Sequence, residues 1–512
     1  MQAFLQRHQL DVIGVLSGFD RLLFRGTLRS ISYAEGLDRF LGAMKLMYKD
    51  FAAFAQDCSA RLKDHAQAMA QKADRPFLYL SNSSQSKEQL ARDIAARDHI
   101  EQGLVCVLRC VEPCMSFSIR KREGAFRFVA EERKCLHLYF YYIDREFGLM
   151  HVRLATWLPF GIQVCLNGRE YLARRMRHAG IGFEQRDNCF VRIDDLPKAQ
   201  AMMDQLIHRK WQRLLNAWAN RVNPLPRAMK LFGYYWSIRE SEVATDVMFK
   251  DAAALDRLYP SLVDHAIKRF GSSDILRFLG RRVIASRFDK EVSSSLLDRG
   301  EGIRVKHRAE ENSIKMYNKQ GSVLRVETTI NNVRRFRVRR LTTWKKVRRM
   351  RWVPMRFGLA DLVRRVQISR AANERYLQAL ACVDVPAPVA TLLDPLATRV
   401  IKEGRPYRAL RPISPDEAKV FQVVLDGRFL LRGFTNRDLR HALWPKPKSK
   451  PDDPLQARRQ SGKTTRLLRL LRAHGLIRKV STTRYYRVTD HGQKTMSASL
   501  ILRSADLTKI AA

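Results

Sequence analysis

Acidic residues are scarce in this sequence. Its 512 residues include 51 Asp and Glu against 94 Lys and Arg, which gives a formal net charge of +43 at pH 7. A protein rarely carries such an excess without a polyanionic partner. The charge balance therefore predicts a nucleic-acid partner, with an anionic membrane surface as the alternative.

Long apolar runs are also missing. No stretch reaches the roughly 18 apolar residues that a membrane span needs, and the first residues lack a charged leader followed by an apolar run. We therefore expect no membrane partner and a cytoplasmic, nucleoid-associated protein. The eight cysteines are then expected to be reduced thiols.

Helical and strand-like periodicities alternate along the chain, which predicts an α+β multidomain protein. An N-terminal α+β domain is expected over residues 1–222, and a central domain of helices and β-hairpins over 223–385. A C-terminal domain is expected over 408–512. Within the central domain, residues 230–300 have a mostly helical pattern and residues 302–340 a strand pattern.

The C-terminal region has the pattern of two helices, a basic helix from Ser461 to Gly475, and a hairpin whose turn is Ser481-Thr-Thr-Arg484. This order is typical of a winged helix-turn-helix. The segments Leu470-Leu-Arg-Ala-His-Gly-Leu-Ile and Tyr486-Arg-Val-Thr-Asp-His-Gly resemble the DNA-binding modules of MarR-like regulators. The resemblance implies a helix in the major groove and a wing against the backbone. The residues it places at DNA are Lys463, Thr464, Thr465, Arg466 and Arg469, with Arg484 on the wing. A winged helix used for protein contact is the alternative.

A second basic segment covers residues 334–351, where ten of eighteen residues are Arg or Lys and none is acidic. Phe336 and Trp344 interleave with the charges, and Trp352 follows. Such a segment can neutralise phosphates while its aromatic rings stack on unpaired bases. The residues expected to bind nucleic acid are Arg334, Arg335, Arg337, Arg339, Arg340, Lys345, Lys346, Arg348 and Arg349. The pattern does not distinguish double-stranded from single-stranded DNA, and RNA remains an alternative.

The block Asn312-Ser-Ile-Lys-Met-Tyr-Asn-Lys319, followed by Leu324-Arg-Val-Glu327, resembles the Tyr-x-Lys…Leu-Arg-x-Glu blocks of phage and plasmid replication initiators. In tyrosine nickases a tyrosine hydroxyl attacks a phosphodiester beside a metal ion. The resemblance implies that Tyr317 is a nucleophile, that Lys315 and Lys319 hold phosphate, and that Glu327 is a further catalytic candidate.

Metal ligands for such a site are scattered. His137 and His151 lie on two adjacent predicted strands, where they could meet across a hairpin. The relaxase pattern instead places two histidines in one strand as His-x-His, and Tyr139 and Arg153 stand where the second ligands would be. No cofactor is identified by the sequence, and Mg²⁺ or Mn²⁺ is the ion this chemistry would use.

Carboxylates offer another route to metal-dependent cleavage. Asp20 follows an apolar run and loosely resembles the first acid of an RNase H-like strand. The spacing among the acidic residues is not that of any metal-binding motif. The other candidates are Asp144, Glu170, Asp246 and Glu327.

Two hypotheses follow from these patterns. In one, the protein is a DNA-binding factor of the mobile-element or plasmid replication and recombination type, or a non-catalytic transcriptional regulator. In the other, residues 1–350 form a nickase or transposase-like enzyme that the C-terminal module delivers to DNA.

Overall fold

The computed structural model describes residues 1–505 apart from 83, 123, 282–291, 300–301, 345–346, 384–388, 431–432 and 446–453. Contacts group the chain into two compact units. Unit 1 comprises Met1–Val12, Ala253–Leu297 and Glu374–Ala512, and unit 2 comprises Ile13–Ala252 and Asp298–Asn373. The mixed α+β class is confirmed. The three sequence-based domain ranges stay a prediction.

Unit 2 is built on one large sheet, in which the strands follow the order β11-β12-β13-β9-β1-β6-β5-β4-β3-β2. These strands are β1 (Val12–Thr27), β2 (Phe77–Tyr79), β3 (Gly103–Arg122), β4 (Ala125–Asp144), β5 (Gly148–Ala155), β6 (Ile162–Asn167), β9 (Tyr235–Phe249), β11 (Gly302–Ala309), β12 (Asn312–Lys319) and β13 (Val323–Ile330). Two separate hairpins pair β7 (Phe183–Arg186) with β8 (Cys189–Ile193), and β14 (Arg337–Trp344) with β15 (Val347–Pro354).

The helices of unit 2 cover this sheet. They are α2 (Ala34–Ala43), α3 (Phe51–Lys72), α4 (Lys87–Arg97), α5 (Gly168–His178), α6 (Leu196–Ile207), α7 (Trp211–Val222) and α8 (Leu225–Ala228). Helix α3 shows why they do so. Its buried residues Phe51, Ala55, Cys58 and Leu62 recur at steps of three and four, which gives one apolar stripe toward the core.

Every residue of β13 is buried. The strand follows a turn in which Gln320 and Gly321 have positive φ angles of 54° and 81°, a conformation that favours glycine. Because β13 carries Arg325 and Glu327, its burial removes two charged side chains from water. Buried charges are stable only when paired, so their partners are the central question of this unit.

One sequence-based expectation about unit 2 is wrong. Residues 230–300 were expected to be mostly helical, but Tyr235–Phe249 forms the 15-residue strand β9 between β13 and β1. A further strand, β10 (Val292–Arg299), follows later in the same range and crosses the boundary between the units.

Unit 1 is mainly helical. Its helices are α1 (Gln2–Arg7), α9 (Ala252–Arg269), α10 (Ser272–Phe278), α12 (Val389–Leu393), α13 (Pro415–Val424), α14 (Gly427–Leu430), α15 (Asn436–Leu443), α16 (Pro454–Ala473) and α17 (Asp490–Ser504), and α11 (Leu362–Leu380) crosses the unit boundary. Its short hairpins pair β16 (Val400–Lys402) with β17 (Arg405–Tyr407), and β18 (Ile477–Lys479) with β19 (Tyr486–Val488).

The C-terminal part of unit 1 has the element order expected from the sequence. Helices α15 and α16 are followed by the hairpin β18–β19 and then by α17. Phe421, Phe434, Leu471 and Met496 belong to one buried apolar cluster there. That this arrangement is a DNA-reading winged helix stays a prediction. In the part of the chain that the structure describes, no helix is both long enough and apolar enough to cross a membrane.

Candidate functional site

Three carboxylates from three neighbouring strands of unit 2 meet on one face of the sheet. They are Asp20 on β1, Glu242 on β9 and Glu327 on β13, and each offers an oxygen within 4.8 Å of the other two. Strand register explains the meeting of the two glutamates. Glu327 pairs with Ala244, and Thr329 pairs with Glu242, so the glutamate side chains are diagonal neighbours on one face. We call Asp20, Glu242 and Glu327 the carboxylate cluster.

Lysine 315 joins two members of the cluster. It stands directly opposite Glu327 in the β12–β13 ladder. Its Nζ donates to Glu327 Oε1 at 2.6 Å and to Glu242 Oε1 at 3.2 Å. One ammonium group therefore serves two carboxylates, which keeps the glutamates together but leaves their combined charge only half compensated.

The arginines beside the cluster serve mainly a fourth carboxylate, Asp246. Arg325 donates to both oxygens of Asp246, at 2.6 and 2.9 Å, and lies 3.3 Å from Asp20. Arg169 Nη2 is 3.0 Å from Asp246, and its Nε is 3.8 Å from Asp20. Among the described residues, three cations thus face four largely buried carboxylates, and Asp20 receives the weaker contacts of both arginines.

This imbalance affects the acidity of the cluster. Burial raises the pKa of Asp20 despite the charge of Arg325. Burial and the charge of Glu327 raise the pKa of Glu242 to about 7. Burial also opposes the ionisation of Glu327, but the charge and hydrogen bond of Lys315 outweigh it and lower the pKa of Glu327. The cluster therefore holds negative charge that its protein partners do not fully stabilise.

A cavity of about 300 Å³ adjoins the cluster within unit 2. Asp20 and Glu242 line it, together with Asn188, Asp187 and Lys319. Asn188 also donates from its side-chain amide to Asp20 at 2.6 Å. The cavity gives two of the three carboxylates space beside them that no described residue fills.

Tyr317 lies beside the cluster rather than at an exposed strand end. Its hydroxyl donates to Glu327 Oε2 at 3.0 Å. Burial and the charge of Glu327 raise its pKa well above the usual value of 10. Burial disfavours ionisation of this hydroxyl, whereas a carboxylate within hydrogen-bond distance can act as a base toward a nucleophile, so the nucleophile role inferred from the replication-initiator resemblance stays a prediction.

The lysines expected to hold phosphate have carboxylate partners instead. Lys315 bonds to Glu242 and Glu327, as described above, and Lys319 Nζ is 2.9 Å from Asp187. The other candidate acids lie apart from the cluster. Asp144 accepts hydrogen bonds from the backbone N–H groups of the turn that follows it, and Glu170 accepts one from Gln185.

The two histidines expected to share a metal ion do not face each other. Across β4 and β5, His137 pairs with Ala155, and His151 pairs with Tyr141. Four residues along a strand separate the two positions by about 13 Å, which is too far for one ion. The ring of His137 instead lies beside the Cys135 carbonyl, with Nδ1 3.1 Å from that oxygen.

Acidification is expected to weaken unit 2 through His137. Burial and the charge of Arg153 lower its pKa to about 4, against about 6.5 in the unfolded chain. The unfolded chain therefore binds the proton more tightly, and stability is lost as the pH falls from 6.5 toward 4. At pH 5 the loss is about 2 kcal/mol, at about 1.36 kcal/mol per pH unit. Urea unfolding at pH 7 and pH 5 measures it, and His137→Gln should lose about 2 kcal/mol less than wild type. Equal losses would contradict the assignment.

The basic segment forms the hairpin β14–β15. Register pairs Arg337 with Pro354, Arg339 with Trp352, Leu341 with Met350 and Thr343 with Arg348, so these eight side chains share one face. We call this set the Arg–Trp face. Its three arginines are exposed, and Trp352 is 54% exposed.

The remaining predicted residues of this segment are distributed differently. Arg334 and Arg335 precede the hairpin and are exposed, and Arg335 lies 3.5 Å from Glu310. Arg349 lies on the opposite face of the hairpin, as does Arg340, which forms an ion pair with Asp361. Lys345 and Lys346 lie outside the described residues.

Some of the predicted DNA-facing residues of the C-terminal region are exposed, and others contact neighbouring parts of the protein. Lys463, Arg466 and Arg469 are exposed at three-residue steps along α16, and Arg484 is exposed in the turn between β18 and β19. Thr464 is fully buried and donates to Gln460 O at 2.9 Å. Thr465 contacts α15, where it accepts from Asn436 at 2.9 Å. The expectation that the threonines face DNA is therefore wrong for Thr464, because its side chain packs inward.

Comparison with family models, with curated proteins and with solved structures found no match to this chain. The resemblances to MarR-like regulators and to replication initiators therefore depend on the quoted motifs alone. Glu242 was not among the acids proposed from the sequence, although Asp246 on the same strand was. The available signal for a strand was the spacing of two residues between Ile238, Glu240 and Glu242. This signal was weak because it mixes an apolar residue with two acids.

Proposed function

We propose that this protein binds nucleic acid, with DNA as the expected ligand. The observation that carries the proposal is the Arg–Trp face, which presents three exposed arginines around an exposed tryptophan on one side of a hairpin. A two-stranded β-ribbon fits the major groove of a DNA duplex, and arginine is well suited to phosphate and base edges.

The composition of the face supports this proposal. A hairpin that carries positive charge on a solvent-exposed side has no core to pack against, and the net charge of +43 makes attraction to a polyanion strong. Trp352 adds a stacking surface. The guanidinium of Arg364 lies 5.5 Å from the centre of its ring, which leaves an aromatic and cationic pair at the edge of the face. Stacking on an unpaired base is worth about 1–3 kcal/mol.

The C-terminal module supports the same ligand from a second place in the chain. Lys463, Arg466 and Arg469 form one exposed basic side of α16, and Arg484 extends from the hairpin turn. A recognition helix followed by a basic wing is the arrangement by which winged helices bind DNA. The motif resemblance favours a mobile-element or plasmid-type replication or recombination factor over a simple regulator.

Substitution of Arg337, Arg339 and Arg348 by glutamine tests the Arg–Trp face. We expect the affinity for a DNA duplex at about 150 mM salt to fall by about 10- to 100-fold. We also expect the dependence of log K on log salt to become shallower by about 2 to 3, since each lost phosphate contact removes roughly 0.9. Fluorescence anisotropy over a series of salt concentrations measures both.

The matched control replaces three exposed arginines elsewhere in unit 2, Arg127, Arg213 and Arg227, by glutamine. It removes the same charge, so it should change the affinity by less than about 3-fold if the face itself binds. Equal losses of DNA affinity in the two triple variants would mean that the face contributes only its positive charge and is not a specific binding surface. Trp352→Ala should lower the affinity for single-stranded DNA by about 5- to 150-fold, which corresponds to the stacking energy of about 1–3 kcal/mol. It should lower the affinity for duplex DNA by less.

A further inference from the structure

We propose that Asp20, Glu242 and Glu327 bind a divalent cation, Mg²⁺ or Mn²⁺, and that the bound ion promotes hydrolysis of a phosphodiester bond of the nucleic acid. The metal site stands on its own geometry, and the hydrolysis step rests on the proposed nucleic-acid binding. Both use Glu242, which no sequence motif indicated.

The donor set fits a small, hard cation. All three residues offer carboxylate oxygens, which such cations prefer. Ligands about 2.1 Å from an octahedral ion lie about 3 Å apart when adjacent and about 4.2 Å apart when opposite. The cluster oxygens lie within 4.8 Å of one another, so small side-chain movements bring them to coordination distance. The three strands that carry them are held by a continuous sheet, which keeps the ligands close without an ion.

A second observation points to the same place. The hydroxyl of Thr329 is buried and has no hydrogen-bond partner among the described residues, and Thr329 is only 6% exposed. Its cross-strand partner is Glu242, so the hydroxyl lies on the cluster's face of the sheet. A buried hydroxyl without a partner costs free energy. A water molecule on the metal ion would give it one.

The cavity supplies access. It has a volume of about 300 Å³ and is lined by Asp20 and Glu242. A water molecule in the liquid occupies about 30 Å³, so this space is large enough for a hydrated ion and a phosphate oxygen. Lys319 also lines this cavity, where it pairs with Asp187 at 2.9 Å.

The rival interpretation is a closed ion-pair network in which Lys315, Arg325 and Arg169 satisfy all the acids. The distribution of contacts disfavours it. Both arginines make their shortest carboxylate contacts with Asp246, while the cluster has one ammonium group for two glutamates and only longer arginine contacts for Asp20. The charge that remains is concentrated on the three residues whose oxygens converge.

The step is an ordinary hydrolysis. A metal-bound water loses a proton to solvent, and its oxygen forms a bond to phosphorus. The bond from phosphorus to one sugar oxygen breaks, and that oxygen takes a proton from water, which leaves a phosphate monoester and an alcohol. Lys315 is a positioning residue, because its two hydrogen bonds orient Glu242 and Glu327. No covalent tyrosine intermediate is formed.

Binding of Mn²⁺ to the full-length protein, measured by electron paramagnetic resonance, is the first test. We expect one bound ion in wild type and an affinity at least 10-fold weaker in Glu242→Gln and in Asp20→Asn. Glu131→Gln makes the same chemical change at a carboxylate on β4 that pairs with Arg120, and it should bind Mn²⁺ like wild type. Circular dichroism identifies any variant that has not folded. Stoichiometric binding that all folded variants retain would overturn the site, as would no binding by wild type.

Nicking of supercoiled plasmid with Mg²⁺ or Mn²⁺ tests the reaction. We expect wild type and Glu131→Gln to nick the plasmid, and the two cluster variants to nick it at least 100-fold more slowly. DNA affinity in EDTA should stay within about 2-fold of wild type in all four proteins. Loss of Mn²⁺ binding with intact DNA binding but unchanged nicking would overturn the hydrolysis at this site. Absence of DNA binding in wild type would instead overturn the proposed function, whatever the outcome of the metal titration.

Discussion

Replacing Arg325 by methionine is expected to lower the free energy of unfolding of unit 2 by about 3–5 kcal/mol. The side chain is 1% exposed, and its guanidinium bonds to both oxygens of Asp246 and to the Asn188 carbonyl, at 2.6 to 2.9 Å. Methionine fills much of the volume but leaves Asp246 and Asp20 with less compensating charge in a buried place. The cost of an uncompensated buried carboxylate then dominates the loss.

Urea unfolding at pH 7, followed by circular dichroism, measures this effect, and a double variant checks its cause. Arg325→Met combined with Asp246→Leu removes the principal pair together, so it should be more stable than Arg325→Met alone. If the double variant is the less stable of the two, then lost packing rather than the uncompensated charge explains the first result.

The strands around the candidate site were largely predictable from local sequence. A strand pattern was expected over residues 302–340, and β11, β12 and β13 lie within that range. These segments alternate apolar and polar residues and are separated by the turn-forming runs Glu310-Glu-Asn312 and Asn318-Lys-Gln-Gly321. Turn chemistry and a period of two are local properties, which is why a single sequence reveals them.

The site itself was not predictable in the same way. Asp20 contacts Arg325, which is 305 residues away along the chain, and no local pattern encodes the placement of β9 between β13 and β1. The segment Glu240-Ser-Glu-Val-Ala-Thr-Asp-Val247 mixes three acids with small residues, so its strand character was hidden. Two of these acids have cationic partners on other strands, since Glu242 pairs with Lys315 and Asp246 pairs with Arg325.

For the basic segment, the sequence predicted the kind of ligand but not the arrangement of the residues. Its composition indicated nucleic-acid contact, but composition does not say which arginines share a surface. The register of β14 and β15 places Arg337, Arg339 and Arg348 on one face and Arg340 and Arg349 on the other. The structure therefore narrows the nine residues predicted to contact nucleic acid to three arginines on one face, which can be compared with three exposed arginines elsewhere.

Replacing Lys315 by methionine is expected to destabilise unit 2 by about 3 kcal/mol in EDTA and by much less in Mn²⁺. The substitution removes the only ammonium group that bonds to Glu242 and Glu327 in the described part of the chain, and breaking a buried pair by removing one partner costs about 3–5 kcal/mol. A divalent cation between the glutamates replaces the lost charge, and it should bind this variant more tightly than wild type because the ammonium group no longer repels it. Wild type gains stability from the same ion, so the difference between the two proteins shrinks by the ratio of their affinities, and a 100-fold tighter Kd in the variant corresponds to about 2.7 kcal/mol.

Lys87→Met provides the comparison. Lys87 Nζ lies 3.0 Å from Glu112, and the two side chains are 11% and 13% exposed, close to the 14% of Lys315. This variant should lose less stability, because Glu112 keeps Arg153 at 2.8 Å and the hydroxyl of Tyr139 at 2.7 Å, and Mn²⁺ should not restore it beyond the gain seen in wild type. Thermal unfolding of the three proteins with EDTA and with Mn²⁺ separates the cases. Rescue confined to Lys315→Met would mean that Mn²⁺ binds between Glu242 and Glu327, beside the position of the lost ammonium group. Equal behaviour of the two variants would mean that Lys315 does not affect the affinity of the cluster for Mn²⁺.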